Sequence, residues 1–267
     1  MKKLMRVAVL SSTAFGHRCI EEGILYAEGV RLAGILTTPQ EIEISYSESP
    51  VRISSHVTFD DLAQRAECEV GVLSGKVSSA SYARFLQRWK PDLLCALGWY
   101  YMVPRQVRDM APLGCVGIHA SLLPKYRGGA PLVWAMIRGE KETGVSLFFL
   151  EEGVDTGDLL GQMRIPIARD DTIATVYERA TEAAVELLRT VLPRVADGTA
   201  ARTAQDESHA THVPQRSPED GLIDWSQDAE TIRDFIRAQT KPYPGAFTII
   251  EGRKIRIWDA DIEEVGN

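Results

Sequence analysis

The chain has 267 residues, 45% hydrophobic and 25% charged, a composition that excludes a disordered, collagenous or low-complexity protein. Its formal net charge of -7 gives no bulk attraction for nucleic acid, so no nucleic-acid partner is expected unless a local basic patch provides one. No stretch approaches the roughly 18 consecutive apolar residues of a membrane span, so no membrane partner is expected either.

The N-terminal MKKLMRVAVLSS is basic and then apolar, but its apolar part is too short for a signal peptide and fits a first strand better. Leu4 to Leu10 is a β-type run that ends in Ser11-Ser12-Thr13. Apolar periodicity through Phe15, Ile20, Ile24 and Leu25 then predicts a helix closing near Gly29, and Val30 to Leu36 reads as a second strand. Strand, polar turn, helix and strand in that order make a right-handed βαβ unit. The turn Ser12 to Gly16 lacks the three-glycine fingerprint, so a nicotinamide dinucleotide site is unsupported.

Thr37 to Val57 is polar, carries Pro39 and Pro50, and reads as a long loop. Thr58 or Asp60 is positioned to cap a short helix to Ala66. Val70 to Leu73 is a short strand, and a helix from Ser78 or Ser79 to Trp89 is closed by Lys90-Pro91. Asp92 to Leu97 is a nearly continuous apolar run, as expected of a buried parallel strand. It ends in Gly98-Trp99-Tyr100-Tyr101-Met102-Val103-Pro104, where the aromatics either pack under a helix start or wall a flat pocket. A helix over Pro104 to Met110 follows.

Cys115 to Ile118 is a strand end followed by His119, a Leu-Leu-Pro turn and a basic glycine-containing loop, Lys125 to Gly129. A histidine just past a strand's carboxyl end sits where open α/β sheets bind ligands, although the same pattern fits a surface histidine before an ordinary loop. Leu132 to Arg138 reads as a short helix, Thr143 to Leu150 as a strand, and Glu151 to Asp158 as an acidic glycine-containing turn. Leu159 to Ile167 is a further strand. Asp170 or Asp171 is expected to cap a long helix from Ile173 to Leu192, ended by Pro193. A polar run to Gln215 is loop-like. Beyond Ser217 come Leu222 to Trp225, a helix over Ala229 to Gln239, and two strands (Ala246 to Ile250, Lys254 to Trp258) joined at Glu251-Gly252. The order gives an α/β fold: a Rossmann-like, mostly parallel sheet with helices on both faces, plus a small C-terminal α+β subdomain. The division is expected at 1–200 and 201–267. The four cysteines (Cys19, Cys68, Cys95, Cys115) have no CxxC or metal-ligand spacing, so they read as reduced thiols in a cytoplasmic protein without a metal site.

Either Asp155 or Asp158 is able to accept a hydrogen bond from the His119 imidazole and favour its charged form. A His–Asp pair without a nucleophile suggests proton transfer during acyl transfer between bound substrates. Ser121 is close, but His-Ala-Ser-Leu is not a GxSxG elbow, so a hydrolase triad is the weaker reading.

His119-Ala120-Ser121-Leu122-Leu123-Pro124, the Tyr126-Arg127-Gly128 loop and Gly153-Val154-Asp155-Thr156-Gly157-Asp158 together resemble the formyltransferases that use N10-formyltetrahydrofolate. That family includes glycinamide ribonucleotide, methionyl-tRNA and sugar-nucleotide formyltransferases. The resemblance extends to the N-terminal unit, Gly98 to Pro104, and Lys241 to Phe247. It implies an enzyme with formyl-tetrahydrofolate as co-substrate and a catalytic set of an Asn-x-His pair and a distant Asp. The His falls on His119, the Asp on Asp155, and the Asn on Gly117. Loss of one oxyanion donor costs about 10²–10³ in rate. A backbone N–H, a water or charged His119 replaces that amide, or the glycine is engineered, or the protein binds and catalyses poorly; natural replacement is the favoured explanation. The resemblance further implies that the pterin lies against Tyr101, Met102 and Val103 and the loop from Glu152 to Asp155. Only about fifty residues follow Ser217, and the charge disfavours RNA, so the sugar-nucleotide enzymes, which often dimerise, are the better match. The expected partners are therefore small molecules, the folate and a nucleotide-linked amino sugar, in a homodimer. Lys125, Tyr126 and Arg127 are candidates for its phosphates or sugar, and Trp225 and Tyr243 for flanking it, each with packing or solvation as the alternative.

Overall fold

A computed structural model describes residues 3–44, 49–75 and 77–265. The first half runs β1 (Met5–Leu10), α1 (Ala14–Arg18), β2 (Val30–Thr37), β3 (Glu41–Ile42), β4 (Val51–Arg52), α2 (Asp60–Ala66), β5 (Glu69–Val72), α3 (Ser79–Trp89), β6 (Leu93–Ala96), α4 (Arg105–Arg108) and β7 (Cys115–His119). It continues with β8 (Arg127–Gly128), α5 (Pro131–Ile137), β9 (Glu142–Phe149), β10 (Leu159–Pro166) and α6 (Ile173–Asp197). Last come β11 (His212–Val213), α7 (Ala229–Arg237), β12 (Ala246–Ile250) and β13 (Arg253–Ile257).

Seven strands form one sheet in the order β10-β9-β7-β6-β1-β2-β5. The pairs from β5 through β2, β1 and β6 to β7 are parallel, and β9 joins β7 antiparallel. β1 and β6 are buried almost throughout, which is why both read as uninterrupted apolar runs. The chain builds outward from β1 to β2 and β5, then returns to the other side of β1 with β6 and β7. This reversal makes the carboxyl ends around β1 and β6 the switch point where open α/β sheets receive ligands.

The chain divides into two compact units. The first holds Met1–His119, Ser146–Gln162 and Ala184–Gln205; the second holds Ala120–Val145, Met163–Ala183 and Asp206–Asn267. In the first, α3 packs Tyr82, Phe85, Leu86 and Trp89 into a core with Leu10, Leu36, Leu94 and Cys115. Its start is the predicted one: Ser78 and Ser81 form a capping box. In the second, Ile223, Ile236 and Ala246 form a smaller core with Ile232, Phe235 and Ile257 around it. The β12–β13 hairpin turns at Glu251 and Gly252, both with positive φ, as the two-residue connection requires.

Several local expectations are corrected. The helix expected to reach Gly29 is α1, a π turn over Cys19–Gly23 and a 3-10 turn over Ile24–Tyr26; the slip keeps Cys19, Ile20, Gly23 and Ile24 buried. The cap of α2 is Phe59, not Thr58 or Asp60, and it is buried, so packing rather than a side-chain bond sets that start. Asp171 does not cap α6; it accepts from Ala168 N and Thr175 Oγ1 and pairs with Arg179. Pro193 does not end α6, which runs on to Asp197, forgoing the one bond that proline cannot donate. Within the long loop, β3 and β4 pair, and Ile42, Ile44 and Ile53 make a small core against Tyr100 and Tyr101; residues 45–48 lie outside the described chain.

All four cysteines are free thiols, and Cys19, Cys95 and Cys115 are buried. Burial pushes the Cys115 thiol up to about 12 and raises Cys19 and Cys95 well above the ordinary thiol range, while half-buried Cys68 is pushed up to about 11. Since the thiolate is the reactive form, maleimide added to the native protein is expected to reach only Cys68, and slowly, with all four reacting in denaturant. Rapid native labelling of Cys19, Cys95 or Cys115, located by peptide mass, would contradict this packing.

Candidate active site

His119 is the last residue of β7, one position inside the strand rather than just past it. Its backbone pairs with Ser146 of β9, and Gly117 pairs with Phe148. The ring is 8% exposed and meets Phe148 edge-on, with centroids 6.5 Å apart. Its Nδ1 lies 3.4 Å from Asp155 Oδ2. Of the two aspartates in the turn, it is therefore Asp155 that faces the imidazole.

Asp155 is held by the geometry of its turn. Its φ is 55°, a left-handed conformation that Asp tolerates better than most residues. Two residues on, a Cβ at Gly157 would sit 1.9 Å from the Phe149 carbonyl oxygen, so only glycine allows this closeness. Phe149 N donates to Asp158 O at 2.9 Å, closing the turn. From the far side, Gln205 Nε2 donates to the carbonyls of both Asp155 and Gly157, each at 2.8 Å. Thr203 exchanges backbone bonds with Leu159, and the Arg202 guanidinium lies 3.8 Å over the Phe149 ring. Sequence reading missed this strap because Gln205 lies fifty residues beyond the turn in a polar stretch without periodicity.

A cavity of about 250 Å³ opens beside the pair, lined among others by Gly98, Trp99, Tyr101, Gly117 and Asp155. This is at the small end of ligand pockets and matches a ring-sized head better than a whole elongated cofactor. Tyr101, Met102 and Val103 all line it; Met102 is 61% exposed, whereas Val103 is buried. The aromatic segment divides: Trp99 and Tyr101 face the cavity, ring centroids 5.6 Å apart, while Tyr100 packs on the isoleucine core. Glu151, Gly153, Val154 and Asp155 line the cavity as well. Glu152 is not part of it; it is exposed, 3.8 Å from Arg105. Arg108, which sequence reading did not single out, lines the cavity as well.

At Gly117 there is no open slot. A Cβ there would stand 2.8 Å from Leu150 Cδ2 and 3.6 Å from Phe148 Cε1, so this part of the wall is hydrocarbon.

The remaining candidates belong to the second unit. Arg127 is 1% exposed and its fork is engaged by Glu207, Nη1 to Oε2 at 2.9 Å and Nη2 to Oε1 at 2.6 Å. Tyr126 is buried, and its hydroxyl donates to Glu140 at 2.6 Å; burial first and that carboxylate second push its phenol up to about 12. Of the basic loop's three candidates, Lys125 alone is exposed. Ser121 is buried, and its hydroxyl donates to Lys125 O at 2.6 Å, so it serves the turn. Trp225 is 55% exposed with its indole N–H on Thr248 Oγ1, and Tyr243 is half-buried. Among the described residues, no group of three or more His, Cys, Asp or Glu is arranged to hold a metal ion, and no helix is long and apolar enough to cross a membrane.

The chain matches the model of the formyl transferase family over residues 5–192 and that of the formyl transferase C-terminal domain over 216–266. A methionyl-tRNA formyltransferase of Acetivibrio thermocellus is 31% identical over 263 residues, covering 98% of this chain and 82% of that one. Among solved structures, a sugar N-formyltransferase from a Shewanella species superposes with a TM-score of 0.71 at 17% identity, covering 97% of this chain and 99% of that one. An N-formyltransferase from Helicobacter canadensis, in complex with folinic acid and dTDP-3-aminofucose, gives 0.68 at 17% identity over 94% and 86%. At such identities the structures share the fold, whereas the family models and the sequence relative fix the lineage. The chain belongs to the formyl transferase family and is an enzyme that transfers a formyl group from a formyl-tetrahydrofolate donor.

Proposed function

We propose that the acceptor is the amine of a nucleotide-linked amino sugar, and that His119 and Asp155 carry the transfer. The observation that carries the chemistry is the 3.4 Å approach of Asp155 to His119 Nδ1 beside a cavity walled by the 101–103 segment. A proton on Nδ1 would face Asp155, and that pairing would favour one tautomer of the imidazole and steady the charge it takes up during transfer.

In this reading the amine lone pair attacks the formyl carbon, and the C=O electron pair moves onto oxygen. Collapse re-forms the C=O bond and breaks the bond from carbon to N10. The attacking nitrogen loses one proton and N10 gains one, with His119 relaying it and Asp155 stabilising the charge it carries meanwhile. No covalent bond to the protein forms. The pterin edge would meet backbone groups of Tyr101, Met102 and Val103 and of the turn from Gly153 to Asp155. Lys125, Tyr126, Arg127, Trp225 and Tyr243 are the residues proposed for contact with the acceptor, of which Lys125 and Trp225 are exposed. A catalytic part over 1–200, a small part over 201–267 and a homodimer belong to the same reading.

For the acceptor, the support is the match to the Shewanella sugar N-formyltransferase over nearly all of both chains, together with the net charge of -7. A second reading, transfer to a charged initiator tRNA, is favoured by the curated relatives, which carry the name methionyl-tRNA formyltransferase. Incubation with N10-formyltetrahydrofolate and either a panel of nucleotide-linked amino sugars or methionyl-tRNA decides between them. One sugar is expected to gain a single formyl mass; exclusive formylation of methionyl-tRNA would sink the sugar reading.

For the residues, His119→Ala is expected to lower kcat by about 10²–10⁴ with the fold intact. Asp155→Asn keeps a residue type at ease in the left-handed region and removes only the charge, so it is expected to lose about 10²-fold or more at an unchanged melting temperature. Near-normal turnover in either variant would remove that residue from the mechanism.

A further inference from the structure

We propose that Arg108 is a catalytic residue of the transfer, its guanidinium donating to the formyl oxygen as that oxygen takes on negative charge. The proposal rests on the reading that the formyl group reacts in the cavity beside His119.

Formyl transfer places a full charge on one oxygen midway, and donors aimed at that position are the largest usual source of acceleration in acyl transfer. At Gly117 the wall has no donor side chain, and Leu150 stands where one would start. Of the polar side chains around the cavity, Glu151 and Asp155 are carboxylates, and the Trp99 N–H is engaged by Tyr82 Oη at 3.2 Å. Two donors remain, the Tyr101 phenol and Arg108, and Arg108 is the one lysine or arginine in the lining.

Arg108 is half-buried at the end of α4. Its Nη1 donates to Val103 O at 2.7 Å, tying the guanidinium to the wall segment. Among the described residues no carboxylate lies within ion-pair distance of it, although acidic groups are near: Asp109 and Glu152 are both taken by Arg105, at 3.5 and 3.8 Å. A guanidinium has five N–H donors, and four are left over here. Its charge is also felt on the right face of the sheet. Cys115 and Gly117 alternate onto one face of β7, and the Arg108 charge partly opposes the rise that burial imposes on the Cys115 thiol. A half-buried cation with no carboxylate of the described residues at ion-pair distance, next to the strand face that lacks an amide, fits an anion that exists only during turnover.

Arg108→Met and Arg108→Lys test this, with Tyr101→Phe and His119→Ala alongside. Steady-state kcat and KM for the formyl donor, calorimetric affinity for folinic acid and melting temperature are measured on each. Arg108→Met is expected to lower kcat by about 10²–10³, while KM and folinic acid affinity stay within about threefold. Arg108→Lys, which keeps a cation, is expected to retain part of the rate, and should the methionine variant melt early, the lysine variant's kcat-to-KM split decides. A kcat unchanged in both, or a loss confined to KM and folinic acid affinity, overturns the proposal; the latter would make Arg108 a clamp for the donor's own carboxylates. Tyr101→Phe falling 10²-fold while Arg108→Met does not would assign the donor to the phenol instead. Retention of turnover in His119→Ala would remove His119 from the mechanism, a failure of the underlying reading that the Arg108 variants alone would not produce.

Discussion

The approach of Asp155 to His119 is the constraint on which the site depends, and the backbone enforces it. β9 lies antiparallel on β7 with Ser146 opposite His119, so the turn that follows β9 begins beside Cys115, where Leu150 N bonds Cys115 O, and folds back over the strand. Reaching the imidazole requires Asp155 at positive φ and Gly157 pressed on the Phe149 carbonyl. Backbone strained in this way persists when its surroundings over-determine it. Here the Gln205 amide does so, holding the carbonyls on either side of Thr156, and the Thr203–Leu159 exchange fixes the base of the turn. The carboxylate is therefore held oriented toward the imidazole by the backbone around it.

The cavity's composition follows from its place in the sheet. It is lined by Ala96 at the end of β6, by Gly117 and Ile118 of β7, by the aromatic segment after β6, and by Glu151, Gly153, Val154 and Asp155 of the turn after β9. Phe148 and Leu150 make the flank beside Gly117 apolar, so the charged side chains of the lining are Asp155, Glu151 and Arg108. Asp155 and Arg108 are half-buried, and in such surroundings each charge acts more strongly than it would in water. At Gly117, hydrocarbon from Leu150 and Phe148 closes the space a side chain there would use.

Much of this was legible in the residues. β1 and β6 announced themselves as apolar runs because parallel central strands are buried on both faces, and Ser78 or Ser79 marked the start of α3 because capping is local chemistry. The His119 loop and the Asp155 turn were readable as a pair through their family resemblance. What stayed hidden depends on tertiary partners. Arg127 reads as a free cation until Glu207, eighty residues away, takes both arms of its fork. Gln205 looks like linker until it meets the turn. Pro193 reads as a stop, but α6 forgoes one bond and continues through it. Arg108 sits in a four-residue helix with no periodicity to set it apart.

The central claim, that the formyl group reacts between His119 and the 101–103 wall, is tested most directly by a crystal structure of the protein with folinic acid. The account predicts the pterin against the backbone of Tyr101 to Val103 and the formyl group in the cavity, within hydrogen-bond reach of His119. Folinic acid bound with its formyl group away from His119, or bound elsewhere on the protein, would contradict it.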